Sequence, residues 1–337
     1  MTVKLPTDRR ATPAARTAPN EQGPVPAERS LRIFAGNANR PLAEAICREL
    51  RIDIGDATVE QFADGETSVK VNENIRGADI FVFQPTFAPA TNLMELLVMI
   101  DAVRRASARR VTAVIPYFGY QRQDRKDQPR VPITAKLVAN LITTAGADRV
   151  MTMDLHSAQI QGFFDIPFDH LYAAPVLVDH FERLGLANLV AIAPDIGSVK
   201  MARAYAKRLG VGLAVVDKRR PRPDAVEMMN IIGEVDGLNA VIFDDILSTG
   251  STLVEAARAL KDAGAREIYA AVTHGVLCGD AIDRISKSQV KELVITDSIP
   301  HEAKTLPPKI RVLSVAPLLA EAIRRIHDEE SLSSLFI

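Results

Sequence analysis

The most constraining feature of this chain is an alternation of short apolar runs with amphipathic stretches, which begins at Leu31 and continues almost to the end. The apolar runs fall at residues 31–35, 80–84, 111–115, 150–154, 189–193, 213–217, 241–244, 268–273, 293–296 and 312–315. Between them, apolar residues recur every three or four positions, as at Leu93, Leu96 and Ile100, which is helical spacing. Buried strands that alternate with amphipathic helices are typical of parallel sheets. The pattern predicts an α/β fold, and so many runs favour two sheets over one.

We expect two doubly wound, mostly parallel domains. Tyr172 and Pro175 lie in a segment that separates two series of runs, which predicts an N-terminal domain at residues 30–174 and a C-terminal domain at 175–337. Residues 1–29 combine prolines, alanines and charges without hydrophobic periodicity, so we expect a disordered leader. Asp8, Glu21 and Glu28 argue against an acid-poor organellar transit peptide.

Composition excludes several classes of protein. The 41 Lys and Arg residues are balanced by 42 Asp and Glu, so no overall charge attracts nucleic acid or a membrane surface. Cys47 and Cys278 are the only cysteines and lack C-x-x-C spacing, which predicts neither a disulfide scaffold nor a zinc site. No apolar run approaches the roughly 18 residues of a membrane span. We therefore expect a cytoplasmic protein with neither nucleic acid nor a membrane as a partner.

A candidate phosphate site follows the apolar run at 241–244. Its residues are Asp244, Asp245, Ser248, Thr249, Gly250, Ser251 and Thr252, directly before a helical pattern. Glycine and small hydroxyl residues let backbone N–H groups approach a phosphate at a helix N-terminus. The paired aspartates would repel a phosphate and suit ribose hydroxyls or a metal ion. The segment predicts a site for a phosphorylated sugar.

Other polar residues follow neighbouring runs, where ligands bind in open α/β sheets. They are Asp154, His156, Asp195, Asp217, Lys218, Arg219, Arg220, Thr273 and His274. Such a mixture suits metal-assisted phosphate chemistry, although a single aspartate after a strand commonly caps the next helix. His156 and Asp195 are candidate ligands for a divalent cation, with magnesium favoured if ATP phosphates supply further oxygens. A lone histidine is more often structural, so His156 is the weaker candidate.

Two basic segments are further candidates for binding a polyphosphate. The first begins at Lys218, and Pro221 and Pro223 keep it out of a helix, which predicts an extended loop over the same sheet edge. The second, residues 122–127, has charges of both signs, and a plain surface loop explains it equally well. The chain has no G-x-x-x-x-G-K-[ST] motif. The residues alone therefore indicate a phosphorylated sugar and a metal, but not ATP.

Four blocks closely resemble the ribose-phosphate pyrophosphokinases. They are Phe62-Ala63-Asp64-Gly65-Glu66, Tyr120-Gln121-Arg122-Gln123-Asp124-Arg125-Lys126, the segment from Asp154 to Asp165, and Asp217-Lys218-Arg219-Arg220-Pro221-Arg222-Pro223. The resemblance covers residues 31–336 and implies two similar phosphoribosyltransferase-type domains. It also implies transfer of the diphosphoryl group of ATP to the anomeric hydroxyl of ribose 5-phosphate, which gives 5-phosphoribosyl 1-diphosphate and AMP for nucleotide biosynthesis.

The resemblance also implies residue roles. ATP would be bound by Phe62, Asp64, Gly65, Glu66, Arg122, Gln123 and Asp124, and Mg²⁺ by His156 and Asp195. Ribose 5-phosphate would be bound by Arg220, Asp244, Asp245, Ser248, Thr249, Gly250, Ser251 and Thr252, with Lys218 and Arg220 as catalytic residues of a mobile loop. A regulatory site for activation by phosphate and inhibition by ADP would include Arg76, Arg130, Ser331, Ser333 and Phe336.

The implied assembly is a homo-oligomer, a hexamer or dimers that build one, in which a neighbouring subunit completes the nucleotide site and the last helix packs on the first domain. Ser248 and Ser251 replace the aspartate and glycine that the family most often has in the sugar-phosphate turn. Two alternatives stay open, a phosphoribosyltransferase and a catalytically silent regulatory paralogue. The presence of His156, Asp195 and Lys218 favours an active synthetase.

Overall fold

The computed structural model describes residues 30–219, 228–301 and 306–336, so the predicted leader and Arg220 lie outside the described residues. The elements in chain order are β1 (Leu31–Ala35), α1 (Arg40–Leu50), β2 (Ala57–Gln61), β3 (Thr67–Val71), β4 (Asp79–Phe83), α2 (Thr91–Arg105), β5 (Arg110–Ile115), α3 (Thr134–Ala145), β6 (Arg149–Met153), β7 (Phe168–Leu171), α4 (Ala174–Leu184), β8 (Leu189–Ala193), α5 (Val199–Leu209), β9 (Gly212–Arg219), β10 (Met228–Ile232), β11 (Asn239–Leu247), α6 (Ser251–Asp262), β12 (Ile268–Gly275), α7 (Ala281–Ser286), β13 (Val290–Thr296), β14 (Ile310–Leu313) and α8 (Ala316–His327).

The described strands form two large sheets and a hairpin. The first sheet has the order β1-β4-β5-β6-β7 and is parallel throughout. The second has the order β10-β9-β8-β11-β12-β13-β14, in which only β10 is antiparallel to its neighbour. The predicted α/β class with mostly parallel sheets is confirmed. Every apolar run named above overlaps a strand of these sheets.

Four strands have no counterpart among the apolar runs. The strands β2 and β3 pair as an antiparallel hairpin whose side chains are half-buried or exposed. The strand β7 is four residues long, and β10 directly follows residues outside the described part of the chain. Such strands carry too few consecutive apolar residues to stand out, because only one of their faces meets the core.

One hydrophobic cluster joins the two halves of the chain. It contains Phe81 of β4, Phe243 of β11, Phe181 of α4 and Ile323 of α8, all buried. Helix α8 packs against α1, so the end of the chain lies on the first half. The predicted domain boundary at residues 174 and 175 falls at the start of α4 and stays a prediction. No described helix has the length and apolar character that a membrane crossing needs.

A buried polar cluster fixes the end of α8. The carboxylate of Asp79, at the start of β4, has only 5% of its surface exposed. It accepts a hydrogen bond from Arg110 Nε at 2.8 Å and lies 2.8 Å from His327 Nδ1. Arg110 also donates to the carbonyl of Ile326 at 2.9 Å. The cluster ties the last turn of α8 to two strands of the first sheet.

Candidate active site

A cavity of about 570 Å³ lies where β8 and β11 of the second sheet face the segments after β5 and β6 of the first. It is lined by Arg122, Asp124, Arg125, His156, Ser157, Asp195, Ser198, Asp244, Asp245 and the whole turn from Ser248 to Thr252, among others. The structure therefore brings together the predicted sugar-phosphate, metal and part of the predicted ATP residues. Each comes from a segment that follows or ends a parallel strand.

The predicted sugar-phosphate turn joins β11 to α6. Gly250 is the N-cap of α6 and has φ of 75°, a conformation that glycine adopts without a steric penalty. A Cβ atom there would meet Ile285 Cδ1 at 3.4 Å. No side chain among the described residues caps α6, so the N–H groups of Ser251 and Thr252 are available to an anion. The turn has the features of a phosphate cradle.

The sequence interpretation placed Asp244 and Asp245 at the end of their strand, and this is wrong. The strand β11 continues to Leu247 because β12 continues beside it, with Ile246 opposite His274 in the ladder. Likewise, β9 runs through Arg219 and pairs Lys218 with Met229, so the predicted loop does not begin at Lys218. In both places a non-local partner strand extends the pairing past the last apolar residue.

His156 and Asp245 connect the two halves of the site. His156 follows β6, and its Nδ1 lies 2.8 Å from Asp245 Oδ2 of β11. This hydrogen bond raises the pKa of His156. Burial alone would raise the pKa of Asp245, but the hydrogen bond and charge of His156 outweigh it and hold that pKa below its usual range. The pair is therefore charged over a wider pH range than isolated groups would be.

The neighbouring carboxylate has the opposite shift. Burial and then the negative charge of Asp245 raise the pKa of Asp244 well above its usual value. One oxygen of Asp244 accepts hydrogen bonds from the Asp245 N–H at 3.0 Å and from Ser198 Oγ at 3.3 Å. The pKa values of the two adjacent aspartates are thus shifted in opposite directions, so Asp245 loses its proton at a lower pH than Asp244.

The donor set at His156 and Asp195 fits a cation that arrives with a substrate. Asp195 Oδ1 accepts from Ser198 N at 2.8 Å and Ser198 Oγ at 2.9 Å, which leaves Oδ2 for a ligand. Asp245 binds His156 at Nδ1, which leaves Nε2. Among the described residues no three His, Cys, Asp or Glu side chains form a metal cluster. Mg²⁺ commonly uses one or two protein ligands and completes its shell with phosphate oxygens and water.

Part of the predicted ATP set adjoins the same cavity. Arg122, Gln123 and Asp124 follow β5 and line a smaller cavity of about 300 Å³, which also reaches His156. The backbone of Gln123 is fixed by its carbonyl, which accepts from Ala135 N at 3.1 Å. These residues place two charges of opposite sign and an amide beside His156.

The other predicted ATP residues form the tip of the β2–β3 hairpin. Phe62 N donates to Glu66 O at 2.8 Å, and Gly65 N donates to Phe62 O at 2.8 Å with φ of 92° at the glycine. Glu66 N also donates to Asp64 Oδ1 at 3.1 Å. The Phe62 side chain is 57% exposed. Among the described residues, none of these four lines any of the three cavities that reach His156.

The predicted regulatory residues lie in separate segments. Arg76 is in the turn before β4, and Arg130 has φ of 66° in the segment before α3. Ser331 and Ser333 are joined by a hydrogen bond of 3.3 Å near the C-terminal turn Ser333–Phe336. Between described side chains, no hydrogen bond or ion pair joins either arginine to the serines. The side chain of Phe336 lies outside the described residues.

Three predicted strand-end residues, Asp154, Thr273 and His274, support the site, and none of them lines the cavity at the sugar-phosphate turn. His274 is fully buried, with Nε2 at 3.1 Å from Met153 O and 3.2 Å from Asp154 O. Asp154 Oδ2 accepts from Thr273 Oγ1 at 2.7 Å, across the two halves. Burial raises the pKa of Asp154 to about 6 and lowers that of His274 to about 4. The network fixes the backbone two residues before His156.

Some contributing residues give no signal in the sequence. Gln121 Oε1 accepts from His156 N at 2.8 Å, and Ser198 binds both Asp195 and Asp244. Arg284 of α7 donates to the carbonyl of Thr249 in the sugar-phosphate turn. These contacts depend on the packing of distant segments. Only Gln121 lies inside a block that resembles the family.

Comparison with known proteins gives consistent matches over nearly the whole chain. Residues 31–146 match the N-terminal domain of ribose phosphate pyrophosphokinase, and residues 218–337 match the phosphoribosyl synthetase-associated domain. A ribose-phosphate pyrophosphokinase from Rhizobium meliloti (strain 1021) is 59% identical over 309 residues, which cover 91% of this chain and 100% of that protein. One from Rhodopirellula baltica is 56% identical over 312 residues, covering 91% of this chain and 99% of the relative.

A solved structure agrees with these matches. The crystal structure of phosphoribosylpyrophosphate synthetase from Mycobacterium smegmatis has a TM-score of 0.83 and 40% sequence identity, and the match covers 89% of this chain and 99% of that one. The resemblance deduced from the four sequence blocks is confirmed. This chain therefore belongs to the ribose-phosphate pyrophosphokinase family.

Proposed function

We propose that this protein transfers the diphosphoryl group of Mg-ATP to the anomeric hydroxyl of ribose 5-phosphate, giving 5-phosphoribosyl 1-diphosphate and AMP for nucleotide biosynthesis. The observation that carries the proposal is the His156–Asp245 pair at 2.8 Å. It joins the segment beside the predicted ATP residues to the strand that leads into the phosphate turn. Both substrates would then meet in one cavity. We expect the reaction to take place in the cytoplasm.

The turn from Ser248 to Thr252 would hold the 5-phosphate through its free N–H groups and hydroxyls. Asp244 and Asp245 would then lie toward the ribose, where a carboxylate accepts hydrogen bonds from sugar hydroxyls. The aspartate that the family most often has at position 248 is a serine here, which removes one negative charge from the phosphate turn. The turn therefore repels a dianionic phosphate less than the usual family sequence would.

His156 and Asp195 would hold Mg²⁺ together with the nucleotide phosphates, and Arg122, Gln123 and Asp124 would bind ATP. When bound, Mg²⁺ would neutralise charge on the phosphate oxygens. Asp245 would orient the His156 ring so that Nε2 faces the cation. Because a protonated imidazole cannot ligate a metal, the raised pKa of His156 makes cation binding weaker at low pH.

A second subunit would complete the nucleotide site. The hairpin tip with Phe62 is exposed and, in the described part of the chain, lines none of the cavities that reach His156, as expected for a segment that serves a neighbour. A homo-oligomer, a hexamer or dimers that build one, would bring Phe62, Asp64, Gly65 and Glu66 to another chain's ATP. The same assembly would bring together Arg76, Arg130, Ser331, Ser333 and Phe336 as a site for phosphate or ADP.

Lys218 and Arg220 would stabilise the charge that develops on the transferred diphosphoryl group, because phosphoryl transfer depends on alignment and electrostatics more than on covalent catalysis. Replacing Lys218→Ala should lower kcat by roughly 10²- to 10³-fold, with a much smaller change in either KM. Steady-state assays of AMP formation test this, with the exposed Lys207→Ala on α5 as a matched control. An unchanged kcat in Lys218→Ala would show that Lys218 does not stabilise the transition state.

The function itself is tested by incubating purified protein with Mg²⁺, ATP and ribose 5-phosphate. AMP and 5-phosphoribosyl 1-diphosphate should appear in equal amounts and only when both substrates are present. AMP without the diphosphate product would mean a different acceptor. No product from a correctly folded oligomer would support the silent paralogue instead.

A further inference from the structure

The back of the sugar-phosphate turn is held by one segment of the chain, residues 276–284. The carbonyl of Leu247 accepts from the N–H groups of Val276 at 2.9 Å and Leu277 at 3.1 Å, and the carbonyl of Ser248 accepts from Cys278 N at 2.9 Å. The carbonyl of Thr249 accepts from a side chain, the guanidinium of Arg284. Three successive carbonyls, from Leu247 at the end of β11 to Thr249 in the turn, are thus bonded to this one segment.

This pattern decides which way the N–H groups of the turn face. In a trans peptide the C=O of one residue and the N–H of the next point in opposite directions. Fixing the carbonyl of Thr249 against Arg284 therefore turns the N–H of Gly250 away from α7. The turn also lines the catalytic cavity. The donor that a phosphate would meet at Gly250 is held in place by Arg284.

Arg284 also differs from the other supports in being charged. The turn itself, Ser248 to Thr252, contains no cationic side chain. A guanidinium bound to the carbonyl of Thr249 polarises the Thr249–Gly250 peptide and makes its N–H a stronger donor. It also places a positive charge behind the site of a dianionic phosphate. The backbone donors from Val276 to Cys278 carry no net charge and polarise the peptides that they bind less strongly.

We propose that Arg284 is a positioning residue for the 5-phosphate of the sugar substrate, acting through the Thr249–Gly250 peptide. This inference rests on the proposed role of the turn in binding ribose 5-phosphate. Arg284 does not line the cavity, so its effect is on the binding of the phosphate and not on the reacting atoms. The affinity for ATP, which would bind beside Arg122, is then independent of Arg284.

The test compares Arg284→Ala, Arg284→Gln and Arg284→Lys with a control, Lys287→Ala, whose ammonium contacts only exposed Asp283 in the same helix. Because a hydrogen bond to a charged donor is lost, Arg284→Ala should raise KM for ribose 5-phosphate roughly ten- to hundredfold. KM for ATP should stay within about twofold. Arg284→Lys should recover most of the loss, and Arg284→Gln less, because it restores a donor without charge.

A purely structural role for Arg284 predicts a different result. It would lower the melting temperature and the yield of active enzyme, but leave KM for ribose 5-phosphate unchanged in the folded fraction. Calorimetric titration of ribose 5-phosphate into the ATP-free enzyme measures the binding directly. Unchanged affinity in Arg284→Ala, or equal loss for both substrates, would overturn the proposal. If Arg284→Ala does not fold, equal affinities of the Lys and Gln variants and the wild type would overturn it.

A variant in the turn separates this inference from the proposed function. Gly250→Ala introduces a side chain at positive φ, with Ile285 at 3.4 Å. It should raise KM for ribose 5-phosphate if the turn binds the phosphate. If it does so and the Arg284 variants do not, only the role of Arg284 is wrong. If Gly250→Ala leaves this KM unchanged, the proposed phosphate turn itself is wrong.

Discussion

At the scale of single residues, His156 and Asp245 show how two distant segments make one site. The two residues lie in different parts of the chain, one after β6 and the other inside β11. In the structure their side chains are 2.8 Å apart, and each shifts the pKa of the other toward its charged form. Their separation of 89 positions explains why sequence reasoning assigned them to different ligands.

This pair should contribute to stability in a defined pH window. The pKa of His156 is raised on folding, so its contribution is complete below the ordinary histidine value near 6.5 and is lost as the pH rises through the folded value. The pKa of Asp245 is lowered, so its contribution is present above the ordinary value near 3.9 and is lost as the pH falls through the folded value. Both contributions to stability are therefore present together between about pH 4 and pH 6.5.

We predict that Asp245→Asn loses more stability at pH 5.5 than at pH 8.5. The difference should be about 1 kcal/mol or less, because the His156 side chain is 45% exposed and solvent screens the pair. Urea denaturation at the two pH values, without magnesium, measures it. Asp179→Asn, which removes an exposed pair with Arg183, is the control. Equal losses at both pH values would contradict the assigned pKa shifts.

At the scale of secondary structure, the β2–β3 hairpin carries a prediction about assembly. If Phe62 serves a neighbouring chain, Phe62→Ala and Lys218→Ala should each be nearly inactive but complement each other. Assemblies formed by co-refolding would contain sites that combine an intact hairpin from one chain with an intact Lys218 from another. Such mixtures should regain activity, measured as AMP formation per site. If the mixture is no more active than the two variants measured separately, the hairpin and Lys218 of one chain serve the same ATP site.

The elements also show what the sequence could predict. The strands β4, β5 and β12 are buried along nearly their whole length and therefore read as continuous apolar runs. The hairpin strands β2 and β3 contain only exposed and half-buried residues and were not predicted. The block from Phe62 to Glu66 was still identified, because resemblance to a family records the residues of a site and not their secondary structure.

Strand ends were predicted less well than strand centres. Asp244 and Asp245 were placed at the end of their strand, and Lys218 beyond its strand, because they are polar, yet all three lie inside a paired strand. Backbone hydrogen bonds do not require an apolar side chain, and the length of the partner strand is not visible locally. The site residues themselves were found, whereas Gln121, Ser198 and Arg284 depend on tertiary contacts that no local pattern records.

At the scale of the whole molecule, the two halves are held together by a shared core and by the buried cluster at Asp79. Helix α8 belongs to the second half in sequence, but its last turn is bonded to Arg110 and Asp79 of the first. The charged side chains of this cluster are largely shielded from solvent. Removing one member would leave the others unpaired, which costs far more than losing an exposed ion pair.

Asp79→Ala should therefore lower the free energy of unfolding by about 3 to 5 kcal/mol. Its exposed counterpart, Asp101→Ala, removes a surface pair with Arg105 and should cost roughly 0.5 kcal/mol or less. Equilibrium urea denaturation of both variants makes the comparison. A loss below about 1 kcal/mol for Asp79→Ala would show that the cluster is not an anchor of α8.

We propose that both substrates meet at the His156–Asp245 junction for attack on the β-phosphorus of ATP. The most direct measurement follows ATP labelled at the β-phosphorus through the reaction with ribose 5-phosphate and Mg²⁺. The label should leave the nucleotide and appear in 5-phosphoribosyl 1-diphosphate, with unlabelled AMP as the other product. Label retained in ADP would contradict it, because the enzyme would then transfer only the γ-phosphoryl group.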